Sequence, residues 1–234
     1  MKQTGIILAG GRGTRLAGVL TDRPKPLAMV AGKPFIEWVI SYFSKYDIRD
    51  FIVSLGHLAK VAEAYFAARE SDDVSITTIT EREPMGTGGA FRYAAQGLKS
   101  DVYVLINGDS MLLADLCPAR LLLEQDEVDG VIIGRNMEDA SRYGTLRVAD
   151  DGILTGFSEK QAGSGVINGG IYLLKQRLLE QLPGTVPMSM EREGIPALLA
   201  QGARIMVSVS EAPFLDIGLP ETLAEAGDFI QKHF

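Results

Sequence analysis

Residues 4–15 read TGIILAGGRGTR, an apolar run that passes directly into a glycine-rich loop. A short, continuous apolar run bounded by glycines is typical of a buried strand, so we predict a strand over residues 4–9. The glycines let the loop turn sharply and bring backbone N–H groups close to an anion. The loop lacks the Gly-Lys-Ser/Thr ending of a P-loop, and Leu16 stands where the dinucleotide fingerprint needs its third glycine. A nicotinamide-dependent dehydrogenase is therefore disfavoured.

Predicted strands and helices alternate over the first two thirds of the chain. The strands fall at residues 4–9, 51–54, 74–79, 102–106 and 131–133, and the helices at residues 34–46, 58–68, 88–97 and 115–125. Helices of this length between strands imply crossover connections and a mainly parallel sheet that is covered on both faces.

The pattern changes after Tyr143. Residues 145–148 and 153–157 predict a hairpin, residues 166–174, 205–209 and 214–217 further strands, and residues 190–201 and 220–232 helices. We therefore predict an α/β fold, a single Rossmann-like domain over residues 1–234 with a mainly parallel mixed sheet and a small antiparallel portion. Ligands of such sheets bind at the carboxyl ends of the strands, here the loops after residues 9, 79, 106 and 217.

The composition argues against several classes of protein. The net charge is −7, from 30 acidic and 23 basic residues, which disfavours broad nucleic-acid binding. No apolar run approaches the roughly 18 residues of a membrane span, and no secretory signal is visible. Cys117 is the single cysteine and has no internal disulfide partner. We therefore expect a cytoplasmic protein without a membrane partner.

Positive charge is nevertheless concentrated beside the first loop. Residues 12–25 hold four cations and one acid, namely Arg12, Arg15, Arg23 and Lys25 against Asp22. Pro24 and Pro26 restrict the backbone on both sides of Lys25 and predict an extended conformation for it, so that its ammonium group points in a fixed direction. A local patch of this kind suits a small polyphosphate, although a rigid exposed corner would have the same sequence.

Two aspartates follow apolar runs that are far apart in the chain. Asp109 ends the string INGD of residues 106–109, and Asp216 lies in FLDIG of residues 214–218. Both could reach the same edge of the sheet, where paired carboxylates with room for water and phosphate oxygens suit Mg²⁺. Each aspartate alone is equally well explained as a turn or helix-cap residue.

Residues 8–16, LAGGRGTRL, followed by Pro24-Lys25-Pro26, resemble the opening of the sugar-1-phosphate nucleotidyltransferases. The resemblance implies a glycosyltransferase-A-like nucleotidyltransferase fold and a nucleoside triphosphate bound by the loop. It also implies that Arg15 contacts the phosphates and Lys25 the reacting phosphate. Arg15, Lys25 and Asp109 are the catalytic residues that it implies, and Asp109 and Asp216 are the ligands of a Mg²⁺ cofactor.

Residues 81–90, EREPMGTGGA, resemble the segment of that family that contacts the nucleobase. A Gly-Thr pair resembles the guanylyl-transferring branch, so GTP is the expected nucleotide. The pair opens a predicted helix, whose free N–H groups would suit the edge of a purine. An ordinary glycine-rich helix start is the alternative. The expected nucleotide-binding residues are Leu8, Ala9, Gly10, Gly11, Gly13, Thr14, Arg15, Lys25, Glu81, Gly86, Thr87, Asn107 and Gly108.

The antiparallel portion resembles the part of the family that binds the sugar phosphate. Glu159 and Asn168 are expected to bind sugar hydroxyl groups, and Lys160 the phosphate of the sugar. The full expected set is Tyr143, Gly144, Glu159, Lys160, Asn168 and Gly169. The strings RYGT of residues 142–145, SGVINGGIY of residues 164–172 and FLDIGLPE of residues 214–221 look most like those of heptose 1-phosphate guanylyltransferases.

The resemblance implies transfer of GMP from GTP to a sugar 1-phosphate, with D-glycero-α-D-manno-heptose 1-phosphate favoured. It divides the domain into a nucleotide-binding half over about residues 1–135, a sugar-phosphate-binding half over about residues 136–218, and a C-terminal helix over residues 219–234. Mannose 1-phosphate as the acceptor and CTP or UTP as the donor remain alternatives. A non-catalytic subunit that binds nucleotide sugars is a further alternative, and a homo-oligomer is left open.

Overall fold

The apolar runs form strands and the amphipathic segments form helices in a computed structural model that describes residues 1–16, 18–70, 73–158 and 163–234. The strands are β1 (Gln3–Ala9), β2 (Met29–Val30), β3 (Lys33–Pro34), β4 (Asp50–Leu55), β5 (Ser75–Thr80), β6 (Val102–Asn107), β7 (Ser110–Leu112), β8 (Gly130–Met137), β9 (Thr145–Val148), β10 (Leu154–Ser158), β11 (Gly165–Lys175), β12 (Ile205–Ser210) and β13 (Phe214–Asp216). The helices are α1 (Phe35–Ser44), α2 (Ala59–Ala67), α3 (Gly86–Ala94), α4 (Cys117–Leu123), α5 (Gln176–Gln181), α6 (Ile195–Ala200) and α7 (Pro220–His233).

The main sheet has its strands in the order β5, β4, β1, β6, β11, β8, β12. β1 pairs in parallel with both β4 and β6, β4 with β5, and β8 with β12. β11 lies antiparallel between β6 and β8, so it is the reversed strand within that order. The hairpin of β9 and β10 joins the sheet where β9 pairs with β11. The predicted mainly parallel mixed sheet with a small antiparallel portion is confirmed.

The long strand β11 connects the two portions of the sheet. Its pairing with β8 shifts register between Asn168 and Ile171, which is a β-bulge. Gly170 lies in the bulge with φ of +76°, a conformation that glycine adopts without strain. The residues after the bulge pair with β6, and Ile167 before it pairs with β9. The bulge therefore places Asn168 at the junction of the parallel and antiparallel portions.

Two apolar layers cover the sheet, because successive side chains of a strand point to opposite faces. Ile7 of β1 packs in the layer that contains α1, α2, α4 and α7, whereas Ile6 packs in the layer that contains α3, α5 and α6. The coverage of both faces that the sequence predicts is therefore observed. No helix in the described part of the chain is long and apolar enough to cross a membrane.

Several boundaries and short elements differ from the sequence prediction. α3 begins at Gly86 instead of residue 88, and α4 is shorter than the predicted helix over residues 115–125. The predicted helix over residues 190–201 is split into a π-helical turn, Met190–Gly194, and α6. The strand β7 and the helix α5 were not predicted, because elements of three and six residues are too short to show a period.

Candidate active site

The glycine-rich loop lies at the carboxyl ends of the parallel strands. β1, β4 and β5 run side by side, so the residues that follow each of them meet at this edge. A Cβ atom on Gly10 would lie 2.2 Å from Oε1 of Glu81, which follows β5. A larger residue at this position would have to displace the carboxylate of Glu81. Leu16, which replaces the third glycine of the dinucleotide fingerprint, is buried and anchors the end of the loop.

Lys25 is the charged residue at the centre of the site. Its side chain is 9% exposed, and its Nζ lies 2.8 Å from Oδ2 of Asp109 and 3.7 Å from Oδ1 of Asp216. Residues Lys25–Leu27 form a 3-10 turn that starts directly after Pro24. The predicted extended backbone at Lys25 is therefore wrong: X-Pro sequences favour it, but the N–H groups of Leu27 and Ala28 close a turn onto the carbonyl oxygens of Pro24 and Lys25 at 2.8 and 3.0 Å. Its ammonium group meets both aspartates.

A small two-stranded ribbon brings the two aspartates together. β13 pairs with β7 so that Asp216 lies opposite Ser110, and the N–H of Ile217 donates to the carbonyl oxygen of Asp109 at 3.0 Å. Gly108 donates its N–H to the carbonyl oxygen of Leu8 at 2.9 Å, which fastens the start of the ribbon to the end of β1. Residues more than a hundred positions apart thus share one site.

The donor set at this point suits a hard divalent cation. Carboxylate oxygens are preferred ligands of Mg²⁺, which commonly binds one or two carboxylates and completes its shell with water and phosphate oxygens. Within the described ranges, no cluster of three or more histidine, cysteine, aspartate or glutamate side chains could hold a metal ion. Asp109 and Asp216 therefore fit Mg²⁺ as a pair that relies on substrate oxygens for the remaining ligands.

A cavity of about 600 Å³ extends from the glycine-rich loop to the start of α3. The expected nucleotide-binding residues on its wall are Leu8, Gly10, Gly11, Glu81, Gly86, Thr87 and Asn107, and Asp109 also reaches it. An adjoining cavity of about 150 Å³ includes Ala9, Gly13, Thr14, Arg15 and Lys25. Arg12, His57 and Arg82 line the larger cavity and were not among the expected site residues. Arg12 and Arg82 lie within the two strings quoted above, whereas the position of His57 depends on which loops meet and no local motif marks it.

Glu81 lies on the wall of this cavity with its carboxylate held by two donors. The N–H of Met85 donates to Oε2 at 3.1 Å, and the hydroxyl group of Ser54 donates to Oε1 at 3.3 Å. Burial raises the pKa of Glu81 above its ordinary value, and these two hydrogen bonds oppose the rise. Because a carboxylate has about four lone-pair positions, Glu81 retains acceptor capacity towards the cavity.

The Gly86-Thr87 pair packs against the segment that precedes α6. Gly86 has φ of +72°, and a Cβ atom there would lie 2.4 Å from the carbonyl oxygen of Met188. The same carbonyl oxygen accepts the N–H groups of Gly88 and Gly89 at 2.9 and 3.2 Å. Two N–H groups at the start of α3, where we expected free donors for a purine, are therefore already bonded within the protein.

A second cavity, of about 910 Å³, lies over the antiparallel portion of the sheet. Tyr143, Gly144 and Asn168 of the expected sugar-binding set line it. Gly169 is instead buried, and a Cβ atom there would lie 2.5 Å from the side chain of Leu112. Its role is packing behind the cavity wall. The expected contacts of Glu159 and Lys160 lie outside the described residues.

Tyr143 lies between the second cavity and the paired aspartates. Its ring packs edge-on against Phe214, with the centroids 5.8 Å apart. Burial raises the pKa of Tyr143, and the negative charge of Asp216 raises it further, while nearby arginines, Arg15 among them, lower it. Tyr143 therefore lines the second cavity and also lies within electrostatic reach of Asp216 and Arg15.

Glu191 also lines the second cavity and was missed by the sequence reasoning. The hydroxyl group of Tyr172 donates to Oε1 of Glu191 at 2.8 Å, and the hydroxyl group of Thr87 donates to Oε2 at 3.1 Å. Thr87 and Glu191 are 104 positions apart in the chain. No local pattern in the sequence signals such a contact.

Comparison with known proteins gives consistent matches over nearly the whole chain. The model of the nucleotidyl transferase family matches residues 4–233. D-glycero-alpha-D-manno-heptose 1-phosphate guanylyltransferase of Aneurinibacillus thermoaerophilus is 33% identical over 232 residues, which cover 97% of this chain and 98% of that protein. The protein of the same name from Campylobacter jejuni is 34% identical over 220 residues, 92% of this chain and 95% of its own. The crystal structure of HddC from Yersinia pseudotuberculosis complexed with GMP-PN has a TM-score of 0.82 and 30% identity, covering 98% of this chain and all of that one (100%).

Proposed function

This chain belongs to the nucleotidyl transferase family, and we propose that it transfers GMP from GTP to D-glycero-α-D-manno-heptose 1-phosphate. In the proposed reaction, a phosphate oxygen of the sugar 1-phosphate attacks the α-phosphorus of GTP. The new bond joins the two phosphates of GDP-heptose, and the bond between the α- and β-phosphates breaks to release pyrophosphate. The relatives at 33% and 34% identity support the sugar and the base.

The observation that carries the proposal is the position of Lys25 between the glycine-rich loop and the two aspartates. Its ammonium group contacts Asp109 and Asp216 and lines the smaller cavity together with Arg15. A phosphate monoester has a second pKa near 6, so the attacking oxygen is already anionic and needs no general base. The reaction requires positioning and neutralisation of several negative charges. Arg15 and Lys25 are suited to bind the phosphates and to orient the α-phosphorus towards the sugar phosphate.

The metal in this proposal is Mg²⁺ held by Asp109 and Asp216. When bound, it would neutralise negative charge on the phosphate groups that react. The fit rests on the paired carboxylates, because their oxygens are the donors that Mg²⁺ prefers. Lys25 offsets part of the negative charge of this pair, and its long side chain can turn from the carboxylates to an incoming phosphate.

The division into two halves follows the two cavities. The described residues that line the nucleotide cavity lie between positions 8 and 109, and those that line the second cavity lie between positions 143 and 199. This supports a nucleotide-binding half over about residues 1–135 and a sugar-phosphate-binding half over about residues 136–218. Glu81 supports guanine as the base, since a carboxylate can accept hydrogen bonds from the N1–H and the 2-amino group of guanine.

The test is pyrophosphate release by the purified protein with Mg²⁺, four nucleoside triphosphates and a panel of sugar 1-phosphates. The panel contains D-glycero-α-D-manno-heptose, mannose and glucose 1-phosphates. We expect the highest kcat/KM for GTP with the heptose 1-phosphate. Faster turnover with mannose 1-phosphate or with CTP or UTP would replace the proposed substrates and keep the reaction. An absence of pyrophosphate release with every pair would contradict the proposal and favour a non-catalytic binding subunit.

A further inference from the structure

Glu191 lines the second cavity and is hydrogen-bonded to a residue that lines the nucleotide cavity. One carboxylate oxygen, Oε2, accepts from the hydroxyl groups of Thr87 at 3.1 Å and Ser189 at 2.9 Å. The other, Oε1, accepts from the hydroxyl group of Tyr172 at 2.8 Å. Thr87 lines the nucleotide cavity, whereas Glu191 itself lines the cavity over the antiparallel portion. The glutamate thus stands at the contact between the start of α3 and strand β11.

The hydroxyl group of Tyr172 lies between Glu191 and Asn168 and forms a hydrogen bond with each of them. Tyr172 is 1% exposed, and its burial together with the negative charge of Glu191 raises its pKa, so the phenol keeps its proton. A carboxylate can only accept, so the phenol proton points to Glu191 and the phenol oxygen accepts from Nδ2 of Asn168. Oδ1 of Asn168 in turn accepts the N–H of Gly170 at 3.0 Å. Both ends of the Asn168 amide therefore have a determined direction.

We propose that Glu191 is a positioning residue for the sugar, because it sets the direction of the Tyr172 proton and thereby the orientation of the Asn168 amide. Asn168 lines the second cavity and retains one N–H donor and one lone pair beyond the bonds to Tyr172 and Gly170. With this orientation it can give and accept one hydrogen bond each at a sugar hydroxyl group. The inference rests on the proposed function, since the ligand of this cavity is the sugar 1-phosphate.

The variant Glu191→Gln replaces one of the two acceptor oxygens of the carboxylate by an NH2 group, which donates. Its amide oxygen is expected to stay at the Oε2 position, because two donors, Thr87 and Ser189, point there. The NH2 group then takes the Oε1 position and donates to Tyr172, so the tyrosine proton must turn towards Asn168. The Asn168 amide can accept this proton only by turning its NH2 group towards the N–H of Gly170, which is unfavourable.

Steady-state kinetics should therefore show an effect on the KM for the sugar 1-phosphate and little effect on the KM for GTP. We expect Glu191→Gln to raise the KM for the sugar 1-phosphate about tenfold, while the KM for GTP changes by less than about twofold. Glu193→Gln is the matched control, because Glu193 lies on the same turn and accepts from the N–H of Ser189 at 2.7 Å. It loses the same charge, is exposed, and should have the kinetics of the unmodified protein.

A double-mutant cycle tests whether the residues act as one chain. Tyr172→Phe removes the hydroxyl group and should raise the same KM, and the double variant with Glu191→Gln should be no worse than the more affected single variant. The inference would be overturned if the double variant raised the KM for the sugar 1-phosphate by the product of the two single effects. It would also be overturned if the KM for GTP rose equally, or if Glu191→Gln and Glu193→Gln had identical kinetics. If Glu191→Gln does not fold, an unchanged sugar KM in Tyr172→Phe overturns it as well.

A readout without turnover keeps this test separate from the proposed function. The side-chain amide resonances of Asn168 in a ¹H–¹⁵N spectrum should move in Glu191→Gln and stay in place in Glu193→Gln. Resonances that do not move in Glu191→Gln would overturn the inference even if the enzyme is active. An unmodified protein that releases no pyrophosphate, with Asn168 resonances that do respond, would contradict the proposed function and leave the hydrogen-bond chain supported.

Discussion

Lys25 is buried and contacts two negatively charged aspartates, and both properties affect the role that we propose for it. A buried ammonium group is costly unless it is paired, and Asp109 and Asp216 provide the pairing. The two aspartates favour a positively charged side chain at residue 25, and this side chain also lines a cavity where it could contact a phosphate. In the proposed reaction this is the group that neutralises charge where the bond to the α-phosphorus forms.

We predict that Lys25→Met lowers kcat at least about a hundredfold, as the loss of a preorganised charged donor does in other enzymes. Methionine fills the buried volume of the lysine stem, so the thermal midpoint should remain close to that of the unmodified protein. Pyrophosphate release and differential scanning fluorimetry measure the two quantities. Lys60→Met is the control, because Lys60 is exposed on α2. Normal pyrophosphate release by Lys25→Met would contradict the assignment of Lys25.

Glu81 gives a prediction about the pH dependence of stability. Its folded pKa lies above the ordinary value of 4.5, so the folded protein binds this proton more tightly than the unfolded chain does. The contribution of Glu81 to stability therefore falls as the pH rises above 4.5 and is unfavourable at neutral pH.

We expect Glu81→Gln to have a higher thermal midpoint than the unmodified protein at pH 7, with a difference that shrinks towards about pH 4. The glutamine can still accept from Met85 and donate to the hydroxyl group of Ser54. Thermal melts across this pH range provide the measurement, and Glu83→Gln, an exposed carboxylate two positions on, provides the control. A lower midpoint at pH 7, or a difference independent of pH, would contradict the predicted cost of this buried charge.

At the scale of elements, the start of α3 is determined by contact with the segment before α6. The segment supplies the carbonyl oxygen of Met188, which binds the N–H groups of Gly88 and Gly89. The backbone of Gly86 must turn with positive φ directly beside this oxygen. The glycines of EREPMGTGGA are therefore explained by packing, and Thr87 is the side chain of the pair that connects to Glu191.

We predict that Gly86→Ala lowers the free energy of unfolding by about 2–4 kcal/mol, since left-handed strain of about 1–2 kcal/mol adds to the clash with Met188. Gly227→Ala is the contrasting variant, because Gly227 lies within α7 with open space around its Cα. It should stabilise the protein by roughly 0.5–1 kcal/mol, as alanine does in helices. Urea denaturation of both variants measures the difference, and equal effects would refute this explanation.

The sequence predicted the elements that have a strong local pattern. The buried strands β1 and β6 and the glycine-rich loop were found because each is a continuous string with an unambiguous composition. Lys25, Asp109 and Asp216 lie in such strings, and the structure brings them together. Glu191 and the bonding of the α3 N–H groups could not be predicted, because both depend on a contact between segments about a hundred residues apart.

At the scale of the whole molecule, the two proposed halves share one sheet and two apolar layers. β11, which belongs to the sugar-phosphate half, pairs with β6 and with β8, which lie wholly or mostly in the nucleotide half, and also with β9 of its own half. Neither half can expose its part of the sheet without breaking pairs that belong to the other. The two halves are therefore expected to lose their structure together.

We predict a single cooperative unfolding transition. Fluorescence of Trp38, the single tryptophan, reports on α1 in the nucleotide half, whereas far-UV circular dichroism reports on the whole chain. The two probes should give the same urea midpoint, because the shared sheet couples the halves. A circular dichroism transition that Trp38 does not follow would indicate that the halves unfold separately.

The bulged strand β11 has a consequence for how the protein can move. A ligand site between two halves is often closed by bending at a hinge, which needs a flexible connection. Here the sugar-side strand is hydrogen-bonded edge to edge with β6, the strand that leads to Asp109. In the proposed function, the two substrate sites would therefore lie on one continuous sheet with a fixed spacing between them. Any closure over the reacting phosphates would then have to come from the loops at the carboxyl ends of the strands.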